Sequence, residues 1–219
     1  ALSNEFIREA NKRDESAIQT YKAEARFLRA LSYWHALDLF GGNVPFVTEE
    51  DPVGSFMPDA TNPQDLFTYI ESELLDILNM MSEPGAVEYG RADRAAAWTL
   101  LSKLYLNAEV YIGQPRYDDA LDYATRVIDQ GGFSLDENYE YLFLADNGQS
   151  NEIILPIRQD GENLRTYGGT TFIVHAAVGG SMSASAFGID GGWAGHRTTP
   201  EFVELFNASD YFAGVQTDN

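Results

Sequence analysis

Cysteine is missing from all 219 residues. That excludes disulfides, thiolate metal sites and cysteine nucleophiles from this stretch of chain, and leaves the compartment open. Basic residues are scarce: 14 Lys+Arg face 34 Asp+Glu, a formal net charge of −20. Nucleic-acid binding draws on Lys and Arg to displace counterions from phosphates, so that partner is excluded. A basic helix lying on an anionic membrane is disfavoured for the same reason, and the acidic balance reads as a solvated surface that aids solubility. No apolar run approaches the roughly 18 residues of a membrane span, and no signal peptide opens the sequence. The three histidines, His35, His175 and His196, show no metal-ligand spacing. A phosphate loop, a dinucleotide fingerprint and a nucleophile elbow are absent too, and no cofactor is expected. Asn207-Ala208-Ser209 is a formal glycosylation sequon.

What is present is globular in composition, 44% hydrophobic and 22% charged, and long enough to bury a core of its own. Leu2, Phe6 and Ile7 read as the end of a helix, so residue 1 is expected to sit in the middle of a longer protein. From Ser16 to Phe40 apolar residues recur at Ile18, Tyr21, Ala25, Leu28, Leu31 and Leu39, and Gly41-Gly42 stops the predicted helix. Val44-Pro45-Phe46-Val47 is a short extended piece before the acidic run Glu49-Glu50-Asp51. Asn62-Pro63 supplies an N-cap and a first-turn proline, with Asp65 placed to complete a capping box. Leu66, Phe67, Ile70, Leu74, Ile77, Leu78 and Met81 form the stripe of the helix that follows. A third helix is predicted from Arg91 to Ile112. A fourth runs from Tyr117 to Gln130, with Ala120, Leu121, Ala124, Val127 and Ile128 inward and Gly131 as its stop. Beyond Phe133 the pattern changes: Ile153–Ile157 and Phe172-Ile173-Val174 are strand-like, between and beside Gly161, Gly168-Gly169, Gly179-Gly180, Gly188 and Gly191-Gly192. Pro200 starts a short helix through Val203, Leu205 and Phe206.

Trp98, Leu101, Ser102 and Tyr105 fit the first-helix signature of a tetratricopeptide unit, and Ala120, Ala124 and Val127 are the small residues of a closely packed second helix. Residues 16–40 and 63–81 have the same build. Two successive pairs point to a mostly α fold of tetratricopeptide-like helix pairs, an α-α superhelix, because each pair buries its stripe only against a neighbour. A loop-rich region with a few short strands follows. The expected division is a helical scaffold over 1–135 and a loop-rich ligand-binding region over 136–219. Trp34 and Trp98 are assigned to the core, Glu24, Arg26 and Arg29 to structural ion pairs, and Glu49-Glu50-Asp51 to a solvated turn.

Several segments together resemble the SusD/RagB family. These are Ala23-Glu24-Ala25-Arg26-Phe27-Leu28-Arg29-Ala30-Leu31-Ser32-Tyr33-Trp34 with Phe40-Gly41-Gly42-Asn43-Val44-Pro45-Phe46-Val47, and Gly90-Arg91-Ala92 with residues 95–106. Further on come Tyr117-Asp118-Asp119-Ala120-Leu121-Asp122-Tyr123-Ala124, Glu152-Ile153-Ile154, and Gly192-Trp193 with Arg197 and Pro200-Glu201-Phe202-Val203. The resemblance spans roughly residues 20–207 and implies the central portion of a longer family chain. It further implies a lipoprotein on the extracellular face of the outer membrane, anchored through a lipid outside this segment. Such a protein captures oligosaccharide or polysaccharide without catalysis and passes it to a SusC-like TonB-dependent transporter.

The residues offer a matching site. Trp193 lies among glycines in Asp190-Gly191-Gly192-Trp193-Ala194-Gly195-His196-Arg197, which leaves an aromatic face open to the apolar face of a sugar ring. Tyr167, Phe172 and Phe187 extend that platform, and Asn163, Asp190, His196 and Arg197 are the candidates to bond hydroxyls. The competing reading is a buried tryptophan that orders the loop. A sugar face of ~60 Å² at ~25 cal/mol per Å² contributes roughly 1.5 kcal/mol. Three such contacts therefore reach only about the level of a millimolar complex, and tight capture needs avidity. Eight acids against three Lys+Arg in residues 151–219 favour a neutral glycan over a polyanion. Two rival functions remain: a tetratricopeptide-type peptide-binding scaffold, and a helical glycosidase, for which adjacent carboxylates in one loop do not provide the opposed pair.

Overall fold

The computed structural model describes residues 1–54, 56–144, 146–159, 163, 167 and 169–205. Gly161, Gly168, Phe206 and the sequon lie outside them. The chain forms two compact units, Ala1–Ile157 and Arg158–Asn219.

Unit 1 is built of helices α1 (Leu2–Ala10), α2 (Ser16–Phe40), α3 (Pro63–Ile77), α4 (Arg94–Leu106), α5 (Ala108–Ile112) and α6 (Tyr117–Gln130). Strands β1 (Val44–Pro45) and β2 (Ala60–Thr61) pair antiparallel, Val44 opposite Thr61. The two helix pairs expected from sequence are α2 with α3 and α4 with α6, and α3 joins them by packing on α4 and α5. The architecture is mostly α and tetratricopeptide-like.

Local chemistry sets the helix ends. Gly41, at φ 69°, closes α2 in a left-handed C-cap with its N–H on the Leu37 carbonyl. Asn62 Oδ1 accepts from Asp65 N at 2.9 Å to start α3. The Asp65 carboxylate takes the Asn62 side-chain amide at 2.6 Å, so the expected capping box closes through side chains. The third helix begins at Arg94 rather than Arg91, because the buried Asp93 carboxylate caps Ala95 N and Ala96 N and also accepts from Gly85 N. It is interrupted at Asn107, whose carbonyl accepts from Val110 and Tyr111 and starts α5.

The core is Phe27, Ala30 and Leu37 of α2, Leu66, Phe67, Ile70, Leu74 and Ile77 of α3, Leu101, Leu104 and Tyr105 of α4, and Ala120 and Tyr123 of α6. Ser102 lets α4 and α6 meet closely, its hydroxyl donating to the Ala120 carbonyl at 2.9 Å. Several stripe residues face outward instead: Tyr21, Leu28 and Leu39 on α2, Leu121 and Ile128 on α6. Leu121 and Ile128 are each one residue, about 100° of helix, beyond the inward Ala120 and Val127. Trp98 is buried, whereas Trp34 is only half-buried, with the Lys103 ammonium 5.5 Å from its ring centroid.

The loop after α2 is not a solvated turn. Arg29, 5% exposed, pairs with Glu49 of that loop and with Glu73 of α3, and donates to Asn4 of α1. Arg26 pairs with Glu73 and Asp76, and Arg91 with Glu24. Tyr33 Oη donates to the Val47 carbonyl at 2.6 Å and accepts from Val47 N at 2.8 Å. Arg8 reaches the Glu49 and Asp51 carbonyls, and Asp51 accepts from Thr48 N. The acidic run is therefore fastened to α1 through Arg8 and to α2 through Arg29, which in turn pairs with Glu73 of α3.

Unit 2 carries α7 (Gly169–Ala177), a 3-10 turn at Ala184–Phe187 and α8 (Pro200–Glu204), capped by Thr199 Oγ1 accepting from Phe202 N. Phe172-Ile173-Val174 lie in α7, not a strand, and Ile153–Ile157 of unit 1 form no strand, Ile154 and Leu155 packing instead on the helical core. β-branched residues raise strand propensity, but tertiary hydrogen bonding at the end of α7 overrides it.

Candidate functional site

The last carbonyls of a helix have no intrahelical partner. At the C-terminus of α7 a returning segment supplies them. Trp193 N donates to the His175 carbonyl at 2.7 Å, and Gly195 N and His196 N to that of Ala176 at 2.9 and 2.8 Å. Ala194 N donates to the Val178 carbonyl at 3.0 Å. Ala194 takes a left-handed φ of 51° to make this fit. Gly192 is required by contact: a Cβ there would stand 2.2 Å from the Val178 carbonyl oxygen.

This clasp sets Trp193 at the centre of a ring cluster, 45% exposed. The His175 imidazole lies against it at 4.9 Å and 35° between planes. Phe172 and Tyr167 stand at 6.4 Å with planes inclined by 53° and 48°. His196 meets Phe172 edge-on at 4.9 Å. Trp193 is thus neither buried nor loose: its backbone is fixed and part of its ring is open.

Of the eight residues named from sequence, the structure brings together Trp193, Tyr167, Phe172 and His196 by ring contact, and Asp190 through His175, whose Nε2 lies 3.5 Å from Asp190 Oδ1. Phe187, half-exposed at the end of its 3-10 turn, makes no ring contact with this cluster among the described residues. Asn163 and Arg197 are exposed. The residue that sequence reading missed is His175. Reading Phe172–Val174 as a strand hid the helical i, i+4 relation by which His175 Nδ1 donates to the Thr171 carbonyl at 2.9 Å.

Among the described residues no group of three or more His, Asp or Glu is placed to hold a metal ion, and no helix is long and apolar enough to cross a membrane. In unit 1 an open groove of about 380 Å³ is lined by Leu31, Trp34, His35, Lys103, Ile154 and Ile157.

Stacked helix pairs of tetratricopeptide type, with exposed aromatics clasped to a helix end in the loop-rich part, define a helical-repeat scaffold protein. No family model matches the chain. Over 175 residues it is 44% identical to the starch-binding protein SusD of Bacteroides thetaiotaomicron, covering 78% of this chain and 31% of that protein. The chain belongs to the SusD-like family. A solved structure of a laminarin-binding SusD-like protein superposes with a TM-score of 0.61 at 27% identity, over 70% of this chain and 34% of that one. A structure determined with a xylogluco-oligosaccharide gives a TM-score of 0.59 at 29% identity, over 70% and 32%. The matches thus span about a third of the length of these relatives.

Proposed function

We propose that this chain is part of a non-catalytic glycan-binding protein of the cell surface, with Trp193 at the centre of its ligand face. The observation that carries this is the clasped, half-exposed indole with inclined rings beside it. Rings tilted by about half a right angle follow an oligosaccharide that turns from unit to unit better than a flat ribbon does. Starch is the first ligand to test, because the SusD relative binds it at 44% identity. The relatives named for laminarin binding and found with xyloglucan fragments keep other neutral glycans in view. In this reading the whole protein is lipid-anchored on the outer face of the outer membrane. It presents glycan to a SusC-like TonB-dependent transporter, and part of its acidic helical surface faces that partner. The low contact energy per ring makes avidity along a polymer the source of useful affinity.

Affinity electrophoresis of the purified protein through gels holding starch, laminarin, xyloglucan or an acidic polysaccharide tests this. Retardation by a neutral polymer without release of reducing ends is expected. A folded protein that no polymer retards would remove the glycan reading, and release of reducing ends would replace capture with hydrolysis.

A further inference from the structure

His175 sits in α7 with Asp190 and Trp193 on the segment that returns to it. Its Nδ1 faces the Thr171 carbonyl at 2.9 Å. A carbonyl oxygen can only accept, so Nδ1 carries the proton and, in the neutral ring, Nε2 presents a lone pair. That lone pair faces Asp190 Oδ1 at 3.5 Å. A neutral imidazole and a carboxylate are then two acceptors side by side with no hydrogen between them. The arrangement is completed in one of two ways: by a proton on Nε2, which makes an internal ion pair, or by donors brought from outside. The Asp190 side chain is 98% exposed and that of His175 is 20% exposed, so the gap opens to solvent. It borders the indole, which lies 4.9 Å from the imidazole.

We propose that His175 and Asp190 receive two neighbouring hydroxyls of the sugar stacked on Trp193, and that protonation of His175 closes this receptor. The inference rests on the glycan reading above and adds a regulation to the same site. Neighbouring hydroxyls on a pyranose ring are two donors a few ångströms apart, the spacing that two adjacent acceptors require. Protonated His175 instead donates to Asp190, so ligand hydroxyls must displace an ion pair. Histidine is the side chain whose charge changes between pH 5 and 8, so binding weakens toward the acid side. The segment packed against α7 also carries His196 and Arg197. Among the described residues Asp190 is the charged group within ion-pair reach of the imidazole.

The test is calorimetric titration of the protein with maltoheptaose at pH 8 and pH 5. Binding roughly tenfold tighter at pH 8 is expected, the worth of one or two hydrogen bonds. His175→Gln retains an acceptor that cannot be protonated, so it keeps measurable binding at pH 8 and loses the pH dependence. Asp190→Asn weakens binding at pH 8 several-fold. Equal affinity at both pH values, with binding still weakened by Trp193→Ala, overturns the receptor and leaves the glycan site standing. A pH dependence that survives His175→Gln belongs to His196 and overturns it too. No binding of maltoheptaose at either pH removes the starch-type reading itself, and the receptor with it.

Discussion

The backbone N–H of Trp193 donates to the carbonyl of His175 at 2.7 Å while the two side-chain rings lie against each other at 4.9 Å. One residue pair therefore fixes both the chain path and the ring orientation at the end of α7. The indole keeps its place beside glycine, which offers no side chain to support it, because the helix end holds its backbone. Such preorganisation lowers the ordering cost that an exposed loop aromatic would otherwise impose on ligand binding.

Trp193→Ala removes the central ring and leaves the backbone clasp in place. Affinity for starch is expected to fall about tenfold or more, from the roughly 1.5 kcal/mol of one stacked sugar face. Affinity electrophoresis measures the loss, and an unchanged far-UV circular dichroism spectrum separates it from unfolding. Full retention of affinity would move the ligand face elsewhere.

Gly192→Ala tests the clasp itself. A methyl group 2.2 Å from the Val178 carbonyl oxygen meets backbone that cannot swing aside. The returning segment is expected to detach, weakening glycan binding nearly as much as Trp193→Ala although every ring is still present. The intensity and wavelength of Trp193 fluorescence, read in a variant with Trp34 and Trp98 replaced by Phe, should report a more solvated indole.

Much of the scaffold was legible because its signals are local. Ser16–Phe40 and Tyr117–Gln130 were bounded correctly by periodicity and by Gly41 and Gly131. The same local logic failed where distant groups decide. Phe172-Ile173-Val174 look like a strand, and become helix because residues 193–196 satisfy the carbonyls at the end of α7. Glu49 looked solvated because its partner Arg29 is 20 residues away. For the candidate site, the ring cluster of Trp193, Tyr167 and Phe172 follows the sequence reading, whereas Phe187 does not join it among the described residues. His175 was not legible, since its role depends on a helical register and on Asp190 in a later loop.

Arg29 is the buried charge on which three helices and a loop converge, so removing it leaves Glu49 and Glu73 without their inner partner. Glu73 retains Arg26, which limits the damage on that side. Arg29→Met is expected to destabilise unit 1 by about 3–5 kcal/mol, the range for breaking one side of a buried ion pair. Urea titration followed by circular dichroism measures it, and a cost below about 1 kcal/mol would mean that the network is no stronger than a surface pair.

Ser102→Leu probes the close approach of α4 and α6. The serine hydroxyl bonds the Ala120 carbonyl at 2.9 Å, so a branched four-carbon side chain must push the helices apart. A loss of about 1–3 kcal/mol is expected, typical of overpacking. Ser102→Ala, which removes the hydrogen bond and keeps the spacing, should cost no more than about 1 kcal/mol.

The loop on Arg29 also sets a response to acid. Burial pushes the Glu49 carboxyl up, but the hydrogen bond and charge of Arg29 outweigh it and hold the group below its ordinary value of 4.5. A carboxyl whose folded pKa is depressed contributes stability that is full above its unfolded pKa and lost as pH falls through the folded one. The Glu49 contribution is therefore present at neutral pH and disappears below about pH 4.5. Glu49→Gln should lower stability at pH 7 and flatten this part of the profile, so that the variant and the parent protein converge toward pH 3. Urea midpoints measured from pH 7 to pH 3 decide it: parallel profiles would show that Glu49 titrates alike in the folded and unfolded chain, and that the loop is held instead by Asn4, which donates to the Val47 carbonyl.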